Sequence, residues 1–360
     1  MASTPPADGV VTAGPATGHA APEADHAEVG LSVLQRVANL RAWLFLAGLL
    51  IFFEAFARIE GANTFVLNPF NVQSIGIYAV IPLLLAIGQT YVIISGGIDL
   101  SMGFVMGLAS VVAAHVVGWA TPLVPAPLAV LVGFGAGILV ACVPGAVNGF
   151  LVAHLKVPPF IGTLGMFGVA RGVAFLLAGG TTVPVSNPFL SALGNGRLWG
   201  VVPWTVIVAA IFVVLMSYVL SQTRFGQHNY AVGANVQAAR RSGISIRRHL
   251  RRLYVLSGAC AGLAGVLYTA RFSAGAAQAG EPLILDSVAA VVIGGASLFG
   301  GSGTIGGTVA GALVIAVIQY GLVFVGVEPF WQFITVGLVI IVSVLIDQAQ
   351  RSFAGGRQSE

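Results

Sequence analysis

The chain has 360 residues, 57% of them hydrophobic and only 8% charged, with a mean hydropathy of +0.95. That leaves too little polar surface to cover a soluble globule of this length, so the sequence reads as an all-α polytopic membrane protein. A formal charge of +4 and a pI near 9.4 would suit nucleic acid. However, the basic residues flank apolar stretches without interleaved stacking aromatics, which argues against a nucleic-acid partner and for membrane orientation.

Residues 1–35 are rich in Ala, Pro, Gly and Thr with scattered acids, and cannot bury enough surface to repay ordering. They read as a disordered cytoplasmic tail, with no basic n-region, apolar core and cleavage site in the order a signal peptide needs. From residue 36 to 350 the chain reads as a transmembrane domain. Windows of about 20 apolar residues, the length that crosses a bilayer core as helix, fall at approximately 42–58, 72–95, 101–119, 127–153, 159–178, 202–222, 253–272, 285–300, 304–326 and 329–348. About ten transmembrane helices are therefore expected, with eight or nine as the alternative if one short segment is re-entrant. Residues 351–360 read as a second cytoplasmic tail.

Residues 222–252 form the only long polar interruption and hold 7 of the 16 basic residues. An even number of crossings with both termini in the cytoplasm puts this loop inside together with Arg36, Arg41, Lys156, Arg351 and Arg357. Only Arg58, Arg197 and Arg271 are left outside, and Arg171 within a span, as the positive-inside rule expects. Glycine pairs at helix-face spacing (103/107, 133/137, 168/172, 258/262 and 307/311) predict closely packed helices.

Lys156 is the only lysine and follows no glycine loop, so the chain carries no P-loop; no metal-ligand spacing or nucleophile elbow is present either. The remaining polar features lie in two Gly-rich breaks, SGGIDLSMG at 95–103 and GGASLFGGSGTIGG at 294–307, and in isolated polar residues inside spans. Breaks at membrane depth mark substrate paths in many transporters. Candidate path residues are thus Gly96, Gly97, Asp99 and Ser101 in the first break, Gly294 and Gly295 in the second, and Gln89, Asn148, Thr163 and Arg171 in the spans. Each has a structural reading beside it: Asp99 as a helix cap, which takes precedence over substrate contact, and Gln89, Asn148 and Thr163 as polar helix contacts. Arg171 and Glu54 could pair with one another or snorkel. Cys142 and Cys260, both inside apolar stretches, read as small buried residues.

Within the basic loop, Gln237-Ala238-Ala239-Arg240-Arg241-Ser242-Gly243 follows GQHNYAVGAN: small residues on one turn and a glycine that would end a short helix sharply. This pattern resembles the cytoplasmic Glu-Ala-Ala-x-x-x-Gly element of ABC importer permeases, with Gln237 where that element has its acid. That departure removes one charge from any salt bridge to an ATPase. The chain is similar to sugar permeases of the ribose, xylose and arabinose type, in a wider family that includes branched-chain amino acid permeases. The likeness is carried by SGGIDLSMGFVMGLAS, VPPFIGTLGMFGVARGVAFLLAGG, TRFGQHNYAVGANVQAARRSGI and DSVAAVVIGGASLFGGSGTIGGTVAGALV.

The resemblance implies a multi-pass subunit of the bacterial inner membrane that pairs with a second permease copy or a paralogue and has no ATPase site or cofactor of its own. ATP and Mg would sit on a cytoplasmic ABC ATPase docked at Gly233, Gln237, Ala238, Ala239 and Gly243. An extracytoplasmic sugar-binding protein would deliver a monosaccharide, a pentose such as ribose or xylose, at outer-side residues including Arg271 and Glu281, with Arg197 and Asp286 as further rim charges. A branched-chain amino acid or nucleoside cargo is the nearest alternative. An ion-coupled transporter using Asp99, Glu54 or Arg171 is the rival in another class, and a membrane enzyme the third reading.

Overall fold

The computed structural model describes residues 23–61, 64–328 and 330–355, with side chains from residue 40 to 339 within those ranges and at 341, 342 and 345 beyond. Residues 1–22 of the expected amino-terminal tail and 356–360 of the carboxy-terminal one lie outside these. The architecture is helical. α1 spans Glu23–Ile59, α2 Pro69–Ile94, α3 Met102–Ala120, α4 Ala126–Ala153, α5 Pro159–Ala178, α6 Pro188–Asn195 and α7 Trp204–Gln222. The short α8, Arg224–Ala234, and α9, Val236–Arg241, lead into α10 at Ile246–Phe272, α11 at Leu283–Ile293, α12 at Ile305–Phe324 and α13 at Phe330–Gly355. The described strands are two antiparallel pairings of two residues each, Val183–Pro184 with Ala274–Gly275 and Arg197–Leu198 with Val202–Pro203.

Among the described residues eight helices are long and apolar enough to cross a membrane: Leu40–Ile59 of α1, then α2, α3, α4, α5, α7, α10 and α12. Two shorter apolar helices, Leu283–Ile293 and Phe330–Val339, stand where the sequence predicts spans eight and ten. The eighth ends early. Gly294 caps it and packs closely, a Cβ there lying 2.4 Å from the carbonyl oxygen of Gly307, and the chain runs as a loop through 294–304 where the sequence predicts helix to 300.

α2, α3, α10 and α12 are the buried helices, whereas α4, α5 and α7 turn most of their surface outward. The predicted glycine pairs explain the close approach. Cβ atoms at Gly103 and Gly107 would collide with the backbone of residues 277 and 280, at Gly133 and Gly137 with α3, at Gly258 and Gly262 with α4, and at Gly307 and Gly311 with α11. Gly168 and Gly172 are the departure: among the described residues nothing lies within 4 Å of a Cβ at either, so that face of α5 is uncovered by them. Cys142 and Cys260 are both free thiols.

Candidate functional site

The end of the helix bundle that carries α8 and α9 is built around the two breaks. At the carboxyl end of α2 the chain turns through residues 95–101, and Asp99, only 2% exposed, anchors that turn. Its Oδ1 accepts the backbone N–H of Ser101 at 3.0 Å and the Ser101 hydroxyl at 2.6 Å, and its Oδ2 accepts the Ser257 hydroxyl of α10 at 2.7 Å. Asn148 of α4 donates to Ser101 Oγ at 2.9 Å, and Thr163 of α5 donates to the Ile98 carbonyl at 3.3 Å. Asp99 thus joins α3 to α10, while the N-cap of α3 is Ser101 with no side-chain cap bond of its own. Burial raises the Asp99 pKa, with the hydrogen bonds from Ser101 and Ser257 opposing.

Several buried polar atoms beside this network have no hydrogen-bond partner among the described residues: both amide atoms of Gln89, Asn148 Oδ1 and the Tyr254 hydroxyl. A Cβ at Gly97 would lie 2.8 Å from that hydroxyl, so the turn passes close over Tyr254. The structure therefore brings together Gly97, Asp99, Ser101, Asn148 and Thr163 as one buried cluster. Arg171 stands apart: exposed on α5, its guanidinium lies 5.3 Å from the Phe104 ring centroid and 6.0 Å from that of Phe175. It does not pair with Glu54, which binds Arg58 at 2.8 Å and accepts from Thr64, Phe65 and Val66.

The second break meets the first through backbone. Gly301 N–H donates to the Ile94 carbonyl at 2.8 Å. A Cβ at Gly300 would lie 3.0 Å from Gly96 N and 3.1 Å from the Gly233 carbonyl, and a Cβ at Gly233 would lie 1.7 Å from the Ile94 oxygen and 2.6 Å from Gly301 N. Three chain segments, the end of α2, the 294–304 loop and α8, thus touch backbone to backbone at Gly96, Gly233, Gly300 and Gly301. Side chains of α8 reinforce the seam: Asn229 donates to the Tyr91 carbonyl at 2.9 Å and the Tyr230 hydroxyl to the Gly303 carbonyl at 2.6 Å. Gly294 and Gly295 sit one step away, where Gly294 packs on Gly307.

α9 follows α8 through Asn235, whose side chain caps it by accepting Ala238 N–H at 3.0 Å. It ends as the sequence predicts. Gly243 has φ +83°, Ile244 N–H returns to the Ala239 carbonyl and Gly243 N–H to that of Arg240, both at 3.1 Å, which is a Schellman stop. Gln237 and Ala238 are exposed and available to a partner. Ala239 departs from the expectation of a partner cleft: it is 3% exposed and packs with Val232 and Ile246 of this chain.

At the far end, Glu281 is exposed beyond α10, but Arg271 and Asp286 are not simple rim charges. Asp286 is 6% exposed, and both line a cavity of about 450 Å³ between α2, α7, α10, α11, α12 and α13. Sequence reasoning missed this cavity because its polar groups come one at a time from apolar helices; a lone acid in LILDSVAAVVI was the available signal.

Residues 71–344 match the model of the family described as branched-chain amino acid transport system / permease component. The chain belongs to this family. It is 37% identical to a fructose import permease of Rhizobium meliloti over 83% of each chain. Identity to a ribose import permease of Escherichia coli is 36%, over 86% of this chain and 96% of that one. A galactofuranose transporter permease of Escherichia coli is 41% identical over 74% of this chain and 76% of its own. The permease-component family is one of membrane subunits, in keeping with the eight long apolar helices.

Proposed function

We propose that the chain is the membrane subunit of a binding-protein-dependent ABC importer in the bacterial inner membrane, and that it carries a monosaccharide into the cytoplasm. Support for the cargo class comes from relatives named as ribose, fructose and galactofuranose permeases, which match 74–86% of this chain. Support for coupling to a separate ATPase comes from the seam at Gly233. A short two-helix element on the basic loop is fixed by backbone contact to both glycine breaks, and it presents Gln237 and Ala238 outward.

In this reading ATP and Mg are held by a cytoplasmic ABC ATPase seated on α9, and the sugar arrives from an extracytoplasmic binding protein at the end that carries Glu281. A second permease copy or a paralogue covers the open face of α5 around Gly168, Arg171 and Gly172. Asp99, Ser101 and Thr163 position the first break rather than contact cargo, since their side-chain oxygens are engaged by one another, by Ser257 and Asn148, or by backbone carbonyls, and Asn148 braces them through its Nδ2. Nucleotide binding drives transport only if the ATPase holds the inward-open and outward-open states with different free energies, and α8–α9 is the contact that would carry the difference.

The experiment is uptake of radiolabelled pentoses, hexoses and leucine by cells with and without this chain, with the neighbouring ATPase intact and then inactivated. Loss of one sugar in both cases is the expected result. Uptake that survives ATPase loss and collapses with a protonophore would replace this reading with ion coupling; loss of leucine alone would replace the cargo.

A further inference from the structure

The cavity at the far end has the chemistry of a ligand site that helix packing alone does not require. Its volume of about 450 Å³ falls within the roughly 300–1,000 Å³ that small-molecule sites occupy, and its walls are largely apolar with a few convergent polar groups. Those groups come from different helices. Asp286 of α11 accepts one hydrogen bond, from Gln319 Nε2 of α12 to its Oδ2 at 2.9 Å. Among the described residues it has no ion-pair partner and no donor on Oδ1. Gln319 keeps a second N–H and a carbonyl oxygen. Thr205 at the start of α7 is 3% exposed, and its hydroxyl has no hydrogen-bond partner among the described residues, an arrangement that costs free energy unless something enters to meet it. Pro82 in α2, also on the cavity wall, has no N–H to give the Tyr78 carbonyl one turn earlier, which leaves another acceptor without its helical donor.

We propose that this cavity binds an uncharged, polyhydroxylated ligand of monosaccharide size, with Asp286, Gln319 and Thr205 as the groups that read its hydroxyls; the sugar assignment rests on the function proposed above. A carboxylate oxygen beside an amide N–H offers an acceptor and a donor side by side, which suits adjacent hydroxyl groups that can each donate and accept. The Tyr78 and Tyr268 rings on the wall supply apolar surface for the carbon face of such a ring. An anion is disfavoured by the buried carboxylate. A zwitterion would need Arg271 for its carboxylate, but Arg271 is held at the rim: its Nη1 donates to Asn195 Oδ1, and Asn195 Nδ2 donates back to the Arg271 carbonyl at 3.2 Å.

The test uses the full transporter, this chain with its ATPase and binding protein, in proteoliposomes. The probes are radiolabelled ribose, xylose, fructose, galactose and leucine. Thr205→Val removes a hydroxyl that has no hydrogen-bond partner among the described residues, so thermal stability should not fall. Uptake of the transported sugar is expected to fall about fivefold, the size of one uncharged hydrogen bond. Asp286→Asn is expected to lower uptake about tenfold and to change the ratio between two transported sugars, which a purely structural Asp286–Gln319 link would not do. Uptake within twofold of wild type in both variants, with the sugar ratio unchanged, overturns the inference while leaving the permease reading standing. Wild-type transport of leucine and no sugar overturns the permease cargo itself, and with it the polyol assignment of the cavity, whatever the variants do.

Discussion

Gly233→Ala is the most direct test of the seam between α8 and the two breaks. The added methyl would lie 1.7 Å from the Ile94 carbonyl oxygen and 2.6 Å from Gly301 N. Both are backbone atoms, so neither can swing aside as a side-chain end could, and α8 must lift from α2 by more than an ångström. Overpacking of this kind costs about 1–3 kcal/mol, and loss of the 2.8 Å Gly301–Ile94 hydrogen bond adds about 1 kcal/mol. A local penalty near 3 kcal/mol, set against a conformation that needs the seam closed, shifts its population about a hundredfold. The expected outcome is a monodisperse protein whose ATPase partner still hydrolyses ATP while sugar uptake per ATP falls at least tenfold. Gly306→Ala, in the first turn of α12, is the control: among the described residues nothing lies within 4 Å of a Cβ there, so transport should hold. Wild-type coupling in Gly233→Ala would refute the idea that the seam transmits anything.

Tyr230→Phe deletes the bond to the Gly303 carbonyl and should weaken coupling in the same sense but only a fewfold, read in the same uptake-per-ATP assay. At Asp99, Asn retains an acceptor for both Ser101 donors, whereas Leu strands the hydroxyls of Ser101 and Ser257 at about 1–3 kcal/mol each. Detergent-solubilised Asp99→Leu should melt well below Asp99→Asn, and equal melting temperatures would show the network to be incidental. Burial holds the Asp99 pKa above the ordinary carboxylate range, so its neutral form is favoured in the fold. Its contribution is full at low pH and is lost as pH rises from about 3.9, the unfolded value, through the raised folded one. The melting temperature of the wild type should decline over that window relative to Asp99→Asn. Gly243→Leu forces a side chain into φ +83° at about 1–2 kcal/mol with no clash within 4 Å; ATPase copurification should weaken while expression holds, and unchanged copurification would remove α9 from the docking surface.

The spans were legible because a run of apolar residues long enough to cross a bilayer has few other uses, and the two breaks because glycine clusters seldom interrupt such runs without cause. The α9 stop was legible from Gly243 alone. α8 was not: RFGQHNYAVGA has neither an apolar stripe nor a run, and it is helical because Thr223 and Asn235 bound it and Asn229, Tyr230 and Gly233 seat it on α2 and the loop. Those are long-range contacts that local pattern does not encode. The same holds for Asp286. A single acid between apolar neighbours fits an outer rim as well as a buried wall, and what distinguishes the two is Gln319, 33 positions later. Ala239 misled because a small residue suits a partner's cleft and the chain's own Val232 and Ile246 equally well.

The seam and the cavity are built from the same helices, which gives a physical route between them. α2 ends in the seam at Ile94 and contributes Tyr78 and Pro82 to the cavity; α11 and α12 flank the 294–304 loop and contribute Asp286 and Gln319. Between the two sites α11 and α12 touch with no side chain interposed, since a Cβ at Gly307 would meet the Gly294 oxygen at 2.0 Å and one at Gly311 the Ala290 oxygen at 2.0 Å. A pair packed on backbone has no rotamers to absorb a displacement, because dense interiors transmit strain rather than dissipate it. A shift imposed at Gly301 by α8 would therefore reach the hairpin as a body and would alter the spacing of Asp286 and Gln319 from Pro82 and Thr205 on the neighbouring helices. The Asp286–Gln319 pair itself stays intact, being carried on the moving unit. If the proposed cavity holds a ligand, its two halves sit on different sides of this joint, so such a displacement would loosen the ligand, and Gly233→Ala should then lower uptake per ATP without altering Thr205 or Asp286.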